Sequence, residues 1–229
     1  MTRLTYLERR WPDTPPFQQV AHRWCEDQSR LLLGLVWRGY DRLLEHDLSA
    51  VPLSSDDEAK EETLNFLLAI RIRQCMSGDE PFCVADQPPE QTKRKRGKGR
   101  SPQPDIGFTL YEYPRTVWPM EGKVMADEKD VGPYLAEIEG NFLTGRYATF
   151  SSEGAMLGYL LRGDTGRTFA LIGVRLRQVP VQHPHFPDRP HMVSNHRRTK
   201  LPQPSSPREF KCHHLLLRIW KDVTTGAHF

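Results

Sequence analysis

The amino-acid sequence predicts an α/β fold in which helices flank a mixed sheet. The first observation is the order of segments. After an N-terminal helical region come a helix, three strands, a helix, a strand, a helix and a last strand. The second is the apolar pattern, which has a 3.6-residue period in the helical segments and forms short runs in the strands. The third is size, since 229 residues, 38% of them hydrophobic, suffice for one substantial core.

The chain divides into an N-terminal helical region, residues 1–53, and a larger domain, residues 54–229. Apolar residues over 17–47 broadly fit a helical period, although Gly34 and Gly39 interrupt it. We therefore expect one broken helix or a pair of helices here, which packs on the core or docks a partner.

The second helix begins with a clear signal. Ser54-Ser-Asp-Asp-Glu58 combines capping residues with acidic side chains that the helix dipole favours. The expected helix covers residues 58–76. The remaining expected elements are a short strand at 82–84, a loop at 86–103, strands at 105–113 and 116–125, a helix at 131–142, a strand at 154–161, a helix or strand at 165–178, a loop rich in proline and histidine at 180–208, and a strand at 213–220.

Composition excludes several classes of protein. The longest apolar run, residues 31–37, is far shorter than the ~20 residues that a membrane helix needs. The N-terminus carries charges where a signal peptide would have its apolar core, so we expect a cytoplasmic protein without a membrane role. The four cysteines are scattered without a close pair, which favours free thiols over a disulfide framework: Cys25, Cys75, Cys83 and Cys212.

The positive charge of the chain is concentrated in one segment. Removing its six basic residues from the net charge of +3 leaves the rest of the chain at −3. A compact basic run predicts phosphate contact, because lysine and arginine that neutralise phosphates release counterions. A solvated loop is the alternative. The residues are Lys93, Arg94, Lys95, Arg96, Lys98 and Arg100.

The stretch from residue 104 to 125 carries the most informative chemistry. Alternation within a strand places Glu121 and Lys123 on the same side. If Asp105 starts the neighbouring antiparallel strand, its carboxylate lies beside that of Glu121. Two carboxylates that hold Mg²⁺, with an ammonium beside them, are suited to hydrolysing a phosphodiester.

This stretch resembles the PD-(D/E)XK nuclease superfamily, named for Pro-Asp followed on the next strand by an acidic residue, any residue and lysine. Pro104-Asp105 and Glu121-Gly122-Lys123 match that pattern literally. The expected elements also resemble the αβββαβ core of the superfamily, which is called restriction-endonuclease-like.

The resemblance implies particular roles for these residues. Asp105, Glu121 and the backbone carbonyl of Gly122 would ligate Mg²⁺ or Mn²⁺, and Asp105, Glu121 and Lys123 would be catalytic. Many members add a glutamate from the preceding helix, and Glu61 is our first choice because it shares a helix face with Leu64, Leu68 and Ile72. Two neighbouring glutamates remain alternatives: Glu58 and Glu62.

The family further implies an endonuclease that cleaves DNA in restriction, anti-phage defence or repair. Such proteins often act as homodimers or as subunits of larger complexes, and the N-terminal helices are the expected contact. A non-catalytic nucleic-acid-binding or scaffolding subunit with the same fold is the main alternative. A β-hairpin with a surface Glu-Lys pair is the plainest reading of the motif.

A histidine-rich tail suggests a rival site. Imidazole and thiolate groups are good zinc ligands, but their spacing matches no standard zinc pattern. A zinc-stabilised interaction module is therefore a further alternative. Ser194, His196 and Arg198 also suggest phosphate contact from the far side of a cleft. The tail residues that would supply zinc ligands are His183, His185, His191, His196, Cys212, His213 and His214.

Overall fold

The structure is a computed structural model that describes residues 15–48, 51, 56–78, 80–89, 102–112, 116–199, 201–202, 204 and 206–219. One mixed sheet runs through this part of the chain, with helices packed on both faces. The predicted α/β class, with a mixed sheet flanked by helices, is confirmed. No helix in the described ranges has the length and apolar character needed to cross a bilayer.

The sheet has seven strands within the described residues: β1 (Phe82–Asp86), β2 (Ile106–Leu110), β3 (Val117–Met125), β4 (Glu153–Leu160), β5 (Val181–Gln182), β6 (His191–Arg197) and β7 (Glu209–Arg218). Their order across the sheet is β1-β2-β3-β4-β7-β6-β5. The first three strands form an antiparallel meander. β4 lies parallel to β3 and β7, and β6 lies antiparallel to both β7 and β5.

The helices of the described chain are α1 (Pro15–His46), α2 (Asp57–Gln74), α3 (Gly132–Glu137) and α4 (Thr165–Leu176). A π-helical turn, Ile138–Phe142, follows α3 directly. α1 is one helix, so the expected interruption at its two glycines is wrong. A Cβ on Gly39 would lie 2.7 Å from Cγ1 of Ile72, so glycine at this position permits close packing of α1 on α2.

α2 begins where the sequence indicates. The side chain of Asp56 accepts a hydrogen bond from the backbone N–H of Ala59 at 2.8 Å, which caps the helix. Two hydrophobic cores lie on the two faces of the sheet. One packs α1 and α2 against residues such as Leu157, and the other packs α3 and α4 against residues such as Met156. Alternation along β4 directs these neighbours to opposite faces.

The expected loop over 180–208 is wrong in its middle, where β6 forms seven residues of the sheet. No proline lies between Pro190 and Pro202, so residues 191–197 keep the N–H groups that strand pairing needs. β6 pairs with β7 from His191↔Leu215 to Arg197↔Glu209. Histidine and serine side chains in β6 are buried through hydrogen bonds with neighbouring strands, so composition did not indicate a strand.

Candidate active site

The candidate site lies where β2 and β3 separate. β2 follows β3 only as far as the pair Ile106↔Met120, whereas β3 continues for five residues beside β4. The N–H groups of Gly122 and Val124 on this side are taken by carboxylates instead of a strand. Gly122 donates to Asp105 Oδ2 at 2.9 Å, and Val124 donates to Oε2 of Glu61 at 3.3 Å.

The predicted site residues are brought together at this edge. Glu121 Oε2 accepts a hydrogen bond from the backbone N–H of Asp105 at 3.3 Å, so the two acidic residues are direct neighbours. Lys123 Nζ lies 2.6 Å from Glu61 Oε1 and 3.9 Å from Glu121 Oε1. Of the three candidate glutamates on α2, the structure directs Glu61 into the site, while Glu58 and Glu62 are exposed.

A fourth carboxylate was missed by sequence reasoning. Glu137, the last residue of α3, places Oε1 3.7 Å from Lys123 Nζ. Asn141, one turn further along in the π-helical segment, donates its side-chain N–H to the other oxygen of Glu137. Glu137 lies between the buried apolar residues Tyr134 and Ile138 in the sequence. That position was the available signal, because it places an acidic residue near the inner face of a short helix.

The four acidic residues Glu61, Asp105, Glu121 and Glu137 form the carboxylate cluster. Burial and neighbouring charges shift pKa values within this cluster. Burial raises the pKa of Glu121 well above its usual value, and the charges of Asp105 and Glu137 raise it further. Burial also raises the pKa of Asp105, against the hydrogen bond from Gly122. Burial lowers the pKa of Lys123, but the hydrogen bond and charge of Glu61 outweigh burial and leave the pKa raised.

The donor types of the cluster suit a hard divalent cation, although the group of three ligand atoms that already converges within 4.8 Å among the described residues is that of His183, His191 and His213. Within the described part of the chain, four carboxylates lie near a single ammonium, so the ionised cluster carries an excess of negative charge in a partly desolvated place. The raised pKa values express that excess, because burial and mutual repulsion disfavour the ionised forms. Carboxylate oxygens are the ligands that Mg²⁺ and Mn²⁺ prefer. The donor set of the cluster therefore suits these ions.

Gly122 has a packing reason as well as an electrostatic one. A Cβ at this position would lie 2.3 Å from Oδ1 of Asn65 on α2. That Asn65 oxygen also accepts a 2.7 Å hydrogen bond from the Tyr159 hydroxyl. Glycine therefore lets α2 approach β3 closely enough for Glu61 to reach Lys123.

A cavity of about 300 Å³ adjoins the carboxylate cluster. Its lining combines the acidic groups of the site with an exposed aromatic ring, and consists of Glu61, Glu62, Asn65, Phe66, Asp86, Gln87 and Asp105. Phe66, which lies on α2, is 52% exposed.

The basic run, Lys93 to Arg100, lies outside the described residues. The described residues on its two sides meet beside the site. The backbone N–H of Gln87 donates to the Asp105 carbonyl at 2.8 Å, and the Gln103 side chain donates to the Gln87 carbonyl at 3.3 Å. The segment between them therefore starts and ends next to Asp105.

The histidine-rich tail supplies a second buried cluster. The histidine cluster (His183, His191, His213 and Glu153) has its three possible imidazole ligand nitrogens within 4.8 Å of one another. Trp37 Nε1 donates to His191 Nδ1 at 3.3 Å. The next contacts are His191 Nε2 to His213 Nδ1 and His213 Nε2 to Glu153 Oε2, each 3.2 Å. An indole can only donate and an ionised carboxylate can only accept. These two ends therefore fix which nitrogen of His191 and of His213 carries the proton.

Two features of the histidine cluster argue against zinc as its occupant. A neutral imidazole that binds a metal keeps its proton on the other nitrogen. The outer nitrogens of His191 and His183 instead face N–H donors, from Trp37 and from the backbone of His185. The rings of His183 and His191 also stack, with centroids 4.4 Å apart and planes 28° apart. Nearly parallel rings cannot both direct in-plane lone pairs at one ion.

The expected phosphate contact of Ser194, His196 and Arg198 is wrong for the serine and the arginine, because both are buried. Ser194 Oγ lies 2.7 Å from His196 Nε2 and 2.7 Å from the Nε2 of His214. Arg198 donates to backbone carbonyl groups in the interior and stacks over Phe210 at 4.0 Å. These side chains connect β6 and β7 to each other and to the loop that precedes β4.

Comparison with known proteins adds no assignment to this geometry. Neither a protein-family model, nor a curated protein, nor a solved structure matches the chain.

Proposed function

We propose that this protein is a Mg²⁺-dependent endonuclease with a restriction-endonuclease-like core of the PD-(D/E)XK kind. The observation that carries the proposal is the convergence of Asp105, Glu121 and Lys123 at the open edge of β3, with Glu61 reaching them from α2. The order α2-β1-β2-β3-α3-β4 is similar to the αβββαβ order of that core, and its β2–β3 pair is antiparallel as the motif requires.

Each residue has a role that its position supports. Asp105 and Glu121 would hold the cation, with the Gly122 carbonyl as a further ligand. Mg²⁺ or Mn²⁺ bound there supplies neutralisation of the phosphate and acidification of water. Lys123 orients the attacking water, or stabilises the negative charge that develops on phosphorus, by donating from Nζ. Glu61 holds that ammonium at 2.6 Å and can also turn toward the cation.

The proposed substrate is DNA, and the basic run, Lys93 to Arg100, is the proposed phosphate-binding segment. The described residues Gln87 and Gln103 on its two sides lie beside Asp105, which supports a joint role in binding the polymer. DNA rather than RNA, and a role in restriction, anti-phage defence or repair, follow from the resemblance. So does a homodimer or a multi-protein complex formed through α1.

Lys123→Ala tests the enzyme reading. Cleavage of supercoiled plasmid and linear DNA with Mg²⁺ or Mn²⁺ should fall by about 10²–10³-fold, the usual loss on removing one well-placed electrostatic stabiliser. Folding and DNA binding should stay near the wild-type level, because the apolar neighbours of Lys123 hold the strand. Lys129→Ala is the matched control, since Lys129 is exposed just after β3.

The alternative is a non-catalytic nucleic-acid-binding subunit that keeps the fold. It predicts that the wild-type protein binds DNA but never cuts it, with either metal and with candidate partners added. Cleavage at the wild-type rate by Lys123→Ala would instead retain the enzyme and remove the lysine from its mechanism.

A further inference from the structure

Lys123 has three acidic partners within the described residues: Glu61, Glu121 and Glu137. Both oxygens of Glu61 are engaged in the structure, Oε1 by Lys123 Nζ at 2.6 Å and Oε2 by the Val124 N–H at 3.3 Å. A move of Glu61 toward a cation at Asp105 would break the shortest ion pair of the lysine. The Lys123 side chain is only 18% exposed, and its neighbour Glu121 at 3.9 Å is itself a proposed cation ligand, so the ammonium needs another negative partner at that moment.

Glu137 is placed to be that partner. It approaches Lys123 from α3, on the other face of the sheet from α2, and its Oε1 lies 3.7 Å from Nζ. Its second oxygen is fixed by Asn141, so the carboxylate is held in one orientation. The π-helical turn places Asn141 beneath Glu137, and turns of this kind recur at functional sites.

The helix that carries Glu137 is itself anchored to β7, two strands away from β3 in the sheet. Tyr134, three residues earlier, is fully buried, and its hydroxyl lies 2.9 Å from His214 Nδ1. His214 is bonded in turn to Ser194 on β6 at 2.7 Å. This buried connection fixes the register of α3 on the sheet, and with it the position of Glu137.

We propose that Glu137 is a positioning residue that takes over the Lys123 ammonium when Glu61 turns to the bound cation. This change of partner, the hand-over, keeps Nζ directed at the reacting phosphate, so that the ammonium does not follow Glu61 to the metal. This inference rests on the proposed nuclease function, because it requires a cation at Asp105 and Glu121. It assigns a role to a residue outside the Asp…Glu-x-Lys motif.

The first arm of the test follows the lysine and not the reaction. ¹⁵N relaxation of the lysine ammonium groups, with Lys123 identified from the spectrum of Lys123→Arg, is measured without metal and with Ca²⁺ as a non-cleaving oxygen-seeking cation. In wild type the Lys123 ammonium should be ordered in both states. In Glu137→Gln it should stay ordered without metal, where Glu61 holds it, and become mobile with Ca²⁺.

The second arm separates positioning from binding. With Mg²⁺, Glu137→Gln should lower kcat by about 10–100-fold, as outer partners of metal sites do, and leave KM for DNA within twofold. Glu137→Asp should recover part of kcat, since it keeps the charge. Glu139→Gln, an exposed glutamate two residues away, is the matched control and should behave as wild type. Asn141→Ala frees the Glu137 carboxylate without removing it and should show a smaller loss in the same direction, which covers the case in which Glu137→Gln fails to fold.

The outcomes distinguish the inference from the function beneath it. Wild-type cleavage with an unchanged kcat in Glu137→Gln, or an ordered ammonium in its Ca²⁺ form, overturns the hand-over and leaves the nuclease intact. A wild-type protein that neither binds Ca²⁺ nor cleaves DNA overturns the nuclease proposal and the hand-over together. A KM effect without a kcat effect would make Glu137 a DNA contact and would also overturn the positioning role.

Discussion

The histidine cluster is buried and the carboxylate cluster is partly buried, and their polar groups are balanced in opposite ways. From Trp37 through His191 and His213 to Glu153, each donor meets an acceptor. In the carboxylate cluster four acids lie near one ammonium of the described chain, and the pKa values of Asp105 and Glu121 are raised. The path from Trp37 to Glu153 therefore has matched donors and acceptors, whereas the described groups of the carboxylate cluster have an excess of negative charge.

The balance of donors, acceptors and charges indicates which of the two clusters would gain from binding a cation. A completed hydrogen-bond network rigidifies a fold and gains nothing from an added ion. A cluster of like charges destabilises the fold until a cation or a proton joins it. Under the proposed function the histidine cluster is not the metal site, and the pattern of donors and acceptors distinguishes the two clusters better than the number of histidines does.

The largest expected effect comes from removing a carboxylate. Under the proposed function, Asp105→Asn should reduce Mg²⁺-dependent DNA cleavage by at least about 10²–10³-fold, because it removes a ligand of the cation that stabilises the charge on the phosphate. Excess Mg²⁺ should partly rescue Asp105→Ala but not Lys123→Ala, since only the former weakens metal binding. Initial cleavage rates over a Mg²⁺ series measure this, with the exposed Asp188→Asn as control. Equal rescue of both variants would contradict separate roles.

The next effect concerns the histidine cluster and is one of stability. His191→Ala should lower the free energy of unfolding by about 1–3 kcal/mol, because the Trp37 donor and the His213 acceptor lose their partner. Chemical denaturation measures the loss, and His185→Ala, at an exposed position, should change it by less than about 0.5 kcal/mol. One bound zinc per chain in the purified protein, lost in His191→Ala, would make this cluster a metal site instead.

The two clusters should also give opposite dependences of stability on pH. The raised pKa of Glu121 means that the folded state binds its proton more tightly than the unfolded state, so stability falls as pH rises above the ordinary value of 4.5. Burial lowers the pKa of His183 to about 4, so its contribution is present above pH 6.5 and is lost between pH 6.5 and about 4.

A variant of the acidic cluster isolates its part of this dependence. In metal-free buffer at pH 8, Glu121→Gln should unfold at a higher free energy than wild type by about 1 kcal/mol or more, the equivalent of one unit of pKa. The gain should shrink toward pH 4 and disappear when Mg²⁺ stabilises the wild type. Denaturant titrations at several pH values measure it. A variant less stable than wild type at pH 8 would show that the cluster is not under electrostatic stress.

The smallest effect concerns the basic run, whose residues lie outside the described ranges. Neutralising its six basic residues, Lys93 to Arg100, should weaken DNA binding and flatten its salt dependence. Each lost phosphate contact removes ~0.9 from the log–log slope. Fluorescence anisotropy with labelled duplex DNA over a salt series provides the slope. If the slope is unchanged, the segment makes no phosphate contact.

Much of the fold was accessible from local patterns. The apolar period predicts α1 and α2, Asp56 caps α2 within the expected start signal, and alternation correctly places Glu121 and Lys123 on one side of β3. These features depend on neighbours in the sequence. β6 was missed because its stability depends on pairing with β7 and on buried hydrogen bonds between histidines, which composition alone does not reveal.

The site was predictable to the same extent and for the same reason. Asp105, Glu121 and Lys123 lie on two adjacent strands, so their approach follows from one turn and the strand period. Glu137 comes from a helix on the other side of the sheet from α2, and its contact with Lys123 depends on how α3 packs. For Gly122 the sequence predicted a role as a metal ligand through its carbonyl. The structure instead shows that a side chain at this position would clash with Asn65 on α2.

Calorimetric titration of Mn²⁺ into metal-free protein at pH 7 tests whether the carboxylate cluster, and not the histidine cluster, holds the ion. We predict that wild type binds Mn²⁺ with release of protons, because the carboxyl groups with raised pKa values must ionise. Binding should be lost in Asp105→Asn and retained in His191→Ala. Binding that survives Asp105→Asn and disappears in His191→Ala would contradict it.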